Sequence, residues 1–191
     1  MYKRIGVITL ALVMVIASNS LLFAQTTDEM NSKNIITEIK VVGNKEIKDE
    51  RILEQIDTKI GDKVSNKQLH EDMQSIFDLG YFFDIKVSFK NHEGGVLLIL
   101  EVIENPKLSA IKIKGNEKLA DEKLEEMLQV KTGEILNVNK LDASVEEINQ
   151  YYQQEGYVLA KVVDVTIKNK DELHVTIKEG KLNKILISGN D

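Results

Sequence analysis

The stretch that decides the fold is Ile36-Thr37-Glu38-Ile39-Lys40-Val41-Val42-Gly43-Asn44. A similar stretch returns at residues 108–116 and again at residues 182–190, each time ending in Gly-Asn. The Gly-Asn pairs begin at positions 43, 115 and 189, so the period is 72 and then 74 residues. A fixed period of this kind indicates tandem copies of one small unit. We therefore expect two repeats and the beginning of a third.

Each repeat is predicted to run strand-helix-helix-strand-strand. In the first copy, alternation predicts a strand over residues 36–42, and the Gly-Asn pair then reverses the chain. A first helix is expected at roughly residues 49–58, closed by Gly61. Ser65 is predicted to cap a second helix that Gly80 ends, with Gln68 completing a capping box. The predicted buried face of this second helix is Leu69, Met73, Ile76 and Phe77.

Two strands are predicted to complete the first repeat. Alternation predicts one strand over residues 85–90 and another over residues 96–103, joined by a hairpin loop at residues 91–95. In the second copy, Asn137 takes the capping position of Ser65. Four extra residues there lengthen the second helix by about one turn. The spacing also matches Val163 and Val165 with Val87 and Phe89.

The N-terminal segment has the layout of a secretory signal peptide. Lys3 and Arg4 precede an uncharged apolar run over residues 5–17, and small and polar residues follow. We place cleavage between Ala24 and Gln25, so that residues 1–24 are removed and residues 25–34 form a flexible lead-in. The alternative is an uncleaved membrane anchor, because the uncharged stretch approaches the length of a spanning helix. Both interpretations place the remaining chain outside the cytoplasm.

Composition excludes several function classes. The formal net charge is −6, and a chain without a basic cluster lacks the electrostatic attraction that nucleic acid binding requires. There is no cysteine, so thiolate chemistry and cysteine metal sites are absent. His70, His92 and His174 have unrelated spacings, and we expect all three to face solvent. We predict no enzyme activity, cofactor, metal or small-molecule ligand.

The pattern of these motifs resembles that of POTRA domains, the polypeptide-transport-associated repeats at the N-terminus of BamA-like outer-membrane barrel insertases. The resemblance rests on the strand followed by Gly-Asn in three copies, on Gly61 and Gly133, and on Gly80-Tyr81 and Gly156-Tyr157. Glu104-Asn105-Pro106 and Glu179-Gly180 at the ends of the repeats complete it. It divides the chain into POTRA-like domains at residues 35–106 and 107–180, with the first strand of a third at residues 181–191.

The resemblance implies an α+β fold in which two antiparallel helices lie on a three-stranded mixed sheet, with the second strand at an edge. It also implies a periplasmic docking scaffold that receives unfolded outer-membrane proteins or assembly lipoproteins. A C-terminal barrel beyond this sequence would attach such a scaffold to the outer membrane. Two alternatives of the same fold are a membrane-anchored, division-type envelope scaffold and a two-partner secretion transporter.

We predict that partners bind along the second strand of each repeat, because an unpaired strand can accept an added strand. The predicted edge residues are Ile85, Lys86, Val87, Ser88 and Phe89 in the first repeat and Val163, Asp164, Val165, Thr166 and Ile167 in the second. The alternative role of Lys86, Lys90 and Lys168 is to protect these edges from unwanted pairing.

The junctions between repeats contain no long linker. The first junction is Asn105-Pro106-Lys107 and the second is Gly180-Lys181. We expect limited hinge freedom at both, with Pro106 stiffening the first junction more than Gly180 stiffens the second.

Overall fold

A computed structural model describes residues 34–180 and shows two successive units of the same topology. The predicted signal segment with its cleavage site, all but the last residue of the predicted lead-in, the predicted first strand of a third repeat and Lys181 lie outside these residues. The first unit contains strand β1 (Ile36–Val42), helices α1 (Asp49–Leu53) and α2 (Asn66–Phe77), and strands β2 (Phe82–His92) and β3 (Gly95–Glu104). The second contains β4 (Ala110–Lys114), α3 (Asp121–Met127), α4 (Val138–Gln154), β5 (Lys161–Lys168) and β6 (Glu172–Lys178).

Both sheets are mixed and have the last strand of the repeat in the centre. The strand orders are β1-β3-β2 and β4-β6-β5. The first strand of each repeat pairs in parallel with the central strand, and the second strand pairs with it in antiparallel fashion. This confirms the predicted α+β fold, with the second strand at an edge. No helix between residues 34 and 180 is long and apolar enough to cross a membrane.

Each repeat has its own apolar core between its helices and its sheet. Ile52, Ile76 and Leu98 are fully buried in the first repeat. Leu124, Ile148 and Leu173 occupy the equivalent positions in the second. The inner side chains of each central strand are buried, and β3 is apolar on both faces over residues 97–100 whereas β6 alternates apolar and polar residues.

The Gly-Asn turn is fixed by backbone geometry and by one glutamate. Gly43 has a φ of +94°, and a Cβ there would lie 2.2 Å from the carbonyl oxygen of Val102. The next three residues, 45–47, donate their backbone N–H groups to the Glu104 carboxylate at 2.8–3.0 Å. The second repeat has the same arrangement at Gly115, with Glu179 as the acceptor. The turn motif and the glutamate ending the repeat therefore act together.

The first helix is shorter than the sequence predicts. α1 ends at Leu53 instead of near Thr58, and Gly61 lies beyond it, donating its N–H to Ile36. The reason is the Asp72 carboxylate of α2, which accepts the N–H groups of Asp57 and Thr58 at 2.8 and 3.3 Å. Burial raises the pKa of Asp72, but the hydrogen bond from the Thr58 hydroxyl, the two backbone hydrogen bonds and that of Gln68 outweigh burial and hold the pKa below its usual value.

The second helices begin where the capping residues predict. Ser65 accepts the N–H of Gln68 at 3.4 Å, and Asn137 accepts that of Lys140 at 3.0 Å. The capping box is only half formed, because the Gln68 side chain donates to Asp72 instead of returning to the cap. α2 has 12 residues and α4 has 17, so the predicted extra turn is confirmed.

The extra turn of α4 places a buried tyrosine at the end of the second repeat. Tyr152 is fully buried, and its hydroxyl donates to the Glu179 carboxylate at 2.8 Å. Burial and this neighbouring carboxylate raise the pKa of Tyr152 well above its ordinary value. The phenol therefore stays protonated and supports the glutamate that holds the second Gly-Asn turn.

Candidate docking edges

The outer sides of β2 and β5 are the sheet edges with the longest unpaired backbone among residues 34–180. β2 pairs with β3 on one side only, and β5 pairs only with β6. The other edge is different, because the loop between the two helices covers the start of β1. Ile36 donates its N–H to the carbonyl oxygen of Asp62 and accepts the N–H of Gly61, and Ile35 forms an isolated bridge with Lys63. Lys107 and Ile135 form the corresponding bridge in the second repeat.

The predicted edge residues of the first repeat all lie in β2. Ile85 is buried and Val87 half-buried, so both point toward the core. Lys86 and Ser88 are exposed on the opposite face, and Phe89 is 41% exposed near the end of the strand. An added strand would therefore meet apolar side chains on one face and polar ones on the other.

The predicted residues of the second repeat lie in β5, but both predicted equivalences, Val163 with Val87 and Val165 with Phe89, were wrong. A bulge between Val162 and Asp164 inserts Val163, so Val165 opposes Val175 as Val87 opposes Leu100. Val165 therefore corresponds to Val87, and the half-exposed Ile167 corresponds to Phe89. Bulges of this kind are common at sheet edges, and period-two alternation does not reveal an inserted residue. Thr166 is half-buried on the polar face of the strand.

A groove beside β2 was missed by the sequence analysis. It has a volume of about 150 Å³ and lies between α2 and the edge strand. Its lining residues are His70, Met73, Gln74, Phe77, Asp84 and Ile85. Met73 and Phe77 were predicted to be core, but Met73 is half-buried and Phe77 is 45% exposed. Both residues lie on the side of α2 nearest the edge strand β2, where the three-stranded sheet does not extend far enough to cover them.

The edge of the second repeat is covered at its start by a side chain of its own helix. The N–H of Val162 donates to Asn149 Oδ1 of α4 at 2.8 Å. By strand register, Val162 opposes Ile177 as Ile85 opposes Val102. The N–H of Ile85 instead donates to the carboxylate of its neighbour Asp84 at 3.0 Å. The two edges are therefore closed by different groups.

The first junction is an interface between the two repeats. Asn105 is buried and donates to the carbonyl oxygens of Gly80 and Leu136 at 3.1 Å each. The N–H of Val138 also donates to Gly80, at 2.9 Å. Asn137 donates to the carbonyl oxygen of Leu79 at 2.8 Å. These bonds tie the end of α2 in the first repeat to the start of α4 in the second.

The remaining residues of the first junction each make fewer hydrogen bonds than Asn105 does. Lys107 forms an exposed ion pair with Glu46 at 3.1 Å, and Pro106 accepts the N–H of Leu136 at 2.9 Å. Gly180 packs against Leu159, and a Cβ there would lie 2.5 Å from that side chain. No side chain at position 180 can thus repeat the hydrogen bonds that Asn105 makes. The hinge freedom expected at both junctions stays a prediction.

The expectation that all three histidines face solvent was wrong for two of them. His92 hydrogen-bonds to Thr37 at 3.2 Å and approaches Glu38 at 3.2 Å. His174 is 15% exposed and lies 3.3 Å from Glu172. Both lie on the sheet face away from the helices, where neighbouring strands cover them. No group of three or more potential metal ligands occurs within residues 34–180.

Comparison with known proteins places these features in a family. The model of the POTRA family, described as the surface antigen variable number repeat, matches residues 34–105 and 106–180. An outer membrane protein assembly factor BamA from Nitratidesulfovibrio vulgaris is 31% identical over 134 residues. That match covers 70% of this chain but 17% of the relative, so the chain spans less than a fifth of the relative's length.

Two solved structures share the arrangement. The N-terminal domain of Omp85 from Thermosynechococcus elongatus is 29% identical with a TM-score of 0.70, covering 76% of this chain and 63% of that one. POTRA domains 1–2 of the periplasmic domain of Omp85 from Anabaena are 28% identical with a TM-score of 0.62, covering 78% and 97%. Both the paired family matches and these folds agree with the repeat boundaries in the structure. The chain therefore belongs to the POTRA family, and its two repeats form a BamA-like POTRA region.

Proposed function

We propose that this chain is a periplasmic scaffold for the assembly of outer-membrane proteins. It binds unfolded outer-membrane β-barrel proteins, and accessory lipoproteins, by adding one of their extended segments to a sheet edge. A C-terminal barrel in the full-length protein attaches it to the outer membrane. The scaffold acts by binding alone and needs no cofactor.

The observation that carries this proposal is the unpaired outer side of β2, which runs from Phe82 to His92. Backbone N–H and C=O groups along such an edge can pair with any extended chain, whatever its side chains. The names of the relatives support the same role, since the Nitratidesulfovibrio protein is an assembly factor and the Anabaena domains are periplasmic. Strands of a membrane barrel alternate apolar and polar residues, which suits an edge with one apolar and one polar face.

The expected affinity is weak, as a scaffold that passes its clients on requires. Four or five added hydrogen bonds each contribute about 0.5–1.5 kcal/mol. Ordering the client segment offsets part of this gain. The balance corresponds to a dissociation constant of about 0.1–1 mM. Exposed lysines such as Lys86 and Lys90 along β2 limit the pairing of two copies of this chain with each other.

The test is a peptide titration, which the absence of tryptophan from this chain makes direct. The probe is a peptide of about ten residues that alternates Val or Phe with Thr or Lys and carries one central Trp, the pattern of a barrel strand. Tryptophan fluorescence anisotropy should rise and saturate as the full chain is added.

The matched control is the same peptide with every backbone amide N-methylated. It keeps the side chains but cannot donate backbone hydrogen bonds along either edge. We expect its affinity to fall at least about tenfold, which corresponds to the loss of two or more such bonds. Equal binding of the two peptides would show that side chains alone carry the contact, and strand addition would be rejected.

A further inference from the structure

The two docking edges differ at one position of the second helix. Phe77 in α2 and Asn149 in α4 each lie twelve residues after the capping residue of their helix, Ser65 or Asn137. Both positions face the beginning of the edge strand, because Phe77 lines the groove beside Ile85 and Asn149 accepts the N–H of Val162. An aromatic side chain in one repeat is thus replaced by an amide in the other.

In the second repeat, the amide closes the edge from within. Asn149 Oδ1 lies 2.8 Å from Val162 N and occupies a backbone donor at the start of β5. An added strand would have to displace this oxygen and would gain one hydrogen bond while breaking another. Each edge strand contains one bulge, between Phe82 and Asp84 in β2 and between Val162 and Asp164 in β5, so the bulges do not distinguish the two edges.

In the first repeat, the equivalent position leaves a groove. Phe77, Met73 and Ile85 line a volume of about 150 Å³ beside the edge. The other lining residues, His70, Gln74 and Asp84, are polar, so the groove offers one apolar wall to a side chain of an added strand. The N–H of Ile85 is held only by the adjacent Asp84, whose side chain is 41% exposed and also pairs with Lys86 at 3.3 Å. Asp84 can turn to solvent when a strand arrives, since its side chain is already partly exposed.

We propose that the first repeat, and not the second, receives the client segment. Strand β2 pairs with the extended segment, one aromatic or large aliphatic side chain of that segment enters the groove beside Phe77, and Asn149 keeps the edge of β5 closed. This inference rests on the proposed function, because it assigns strand addition to one of the two edges. Burying one such side chain corresponds to a preference of about tenfold or more for the first repeat.

The experiment reports which edge the peptide occupies. The chain has no cysteine, so a single cysteine can carry a bimane fluorophore that a nearby tryptophan quenches. Lys90 and Lys168 provide a matched pair of positions, because both are exposed and occupy the same register, opposite Leu97 and Glu172. K90C and K168C are therefore labelled in separate full chains and titrated with the tryptophan peptide described above.

We expect saturable quenching at position 90 and at least about tenfold weaker quenching at position 168. F77N should weaken the first signal about tenfold, and N149F should produce quenching at position 168. N149A tests the same edge and replaces N149F if circular dichroism shows that N149F does not fold. It removes the oxygen that occupies Val162 N without adding a ring.

The outcomes separate this inference from the proposed function. Equal quenching at the two positions, or stronger quenching at position 168, would overturn the assignment to the first repeat while strand addition stands. An unchanged signal in both F77N and N149A would overturn the roles given to Phe77 and Asn149. Absence of quenching at both positions in every folded variant would reject strand addition itself, and this inference with it.

Discussion

The two repeats are alike where the fold needs them to be and differ where a partner can reach them. The Gly-Asn turns, the supporting glutamates and the helix caps occur in both. The side chains beside the edge strands differ, with Phe77 in one repeat and Asn149 in the other. Residues that fix backbone geometry cannot change without unfolding the unit, whereas residues at an edge can diverge and give each repeat its own task.

The sheet face away from the helices shows the same contrast. In the first repeat the outward residues of the central strand include Leu97, Ile99 and Ile103, and Ile103 is 45% exposed. The equivalent residues of the second repeat are Glu172, His174 and Lys178, by the register of each strand with its neighbours. The first repeat is thus the more apolar of the two at both its edge and its outer face.

The largest expected effect comes from a position that both repeats share. G43A would place a Cβ 2.2 Å from Val102 O, and G115A would place one 2.0 Å from Ile177 O, at φ values of +94° and +87°. The clash and the positive φ together should lower the free energy of unfolding by about 2–5 kcal/mol in either variant. Urea unfolding followed by circular dichroism measures both losses.

The matched controls are G61A and G133A, which have positive φ values of +96° and +87° but no atom within 4 Å of the added Cβ. They should lower the free energy of unfolding only by the cost of placing alanine at a positive φ, about 1–2 kcal/mol. If G61A lowered the free energy of unfolding as much as G43A, the positive φ and not the close approach to Val102 would explain why glycine is needed at position 43. Similar losses for G43A and G115A would support the equivalence of the two turns.

An effect of intermediate size is expected at a buried acceptor that ionises in the first repeat but not in the second, so the stability cost of losing it should depend on pH in only one repeat. Asp72 and Ser144 are equivalent, buried, and accept backbone N–H groups of the segment after the first helix, but only Asp72 ionises. D72N should cost about 1–3 kcal/mol at pH 7, because an amide group replaces the charged acceptor. S144A should cost a comparable amount, because it leaves Gln129 N–H without its acceptor.

The two costs should respond differently to acid. The pKa of Asp72 is lowered in the folded protein, so its ionised form stabilises the fold above the unfolded value of about 3.9. That contribution is lost as the pH falls through the lower folded value. The difference in free energy of unfolding between D72N and the unmodified chain should therefore shrink as the pH falls below the unfolded pKa and through the lower folded pKa, while the cost of S144A stays constant. A D72N cost independent of pH would contradict the role of its charge.

Local patterns in the sequence were sufficient for the elements that local chemistry controls. Gly43-Asn44, Ser65 and Asn137 each act within a few residues of their own position, and the structure confirms the turn and both caps. The end of α1 could not be predicted in the same way. It depends on Asp72, fifteen residues after Asp57, and only the fold brings that carboxylate to the backbone.

The candidate site was predictable in part for the same reason. The resemblance to POTRA domains implied that the second strand of each repeat lies at a sheet edge, and the structure confirms this for β2 and β5. The groove was not, because Phe77 and Met73 fit the apolar stripe of α2 and their exposure depends on the width of the sheet. The bond from Val162 to Asn149 joins two elements through a side chain with no periodic signal, so no pattern in the sequence indicates it.

The smallest expected effect compares two caps that look equivalent in sequence. S65A removes the acceptor for Gln68 N–H and should cost about 1 kcal/mol. N137A removes the corresponding acceptor for Lys140 N–H and also the bond to Leu79 O across the repeat boundary. Its cost should exceed that of S65A by about 0.5–1.5 kcal/mol, the contribution of one added hydrogen bond. Urea unfolding of both variants measures the difference.

The control for that difference is N137S, which keeps the cap but is too short to reach Leu79 O. It should cost only the bond between repeats, and the losses of S65A and N137S should add up to that of N137A. Hydrogen exchange at the N–H of Val138, which donates to Gly80 across the boundary, should accelerate in N137S and not in S65A. Unchanged exchange at Val138 would mean that Asn137 caps α4 without holding the repeats together.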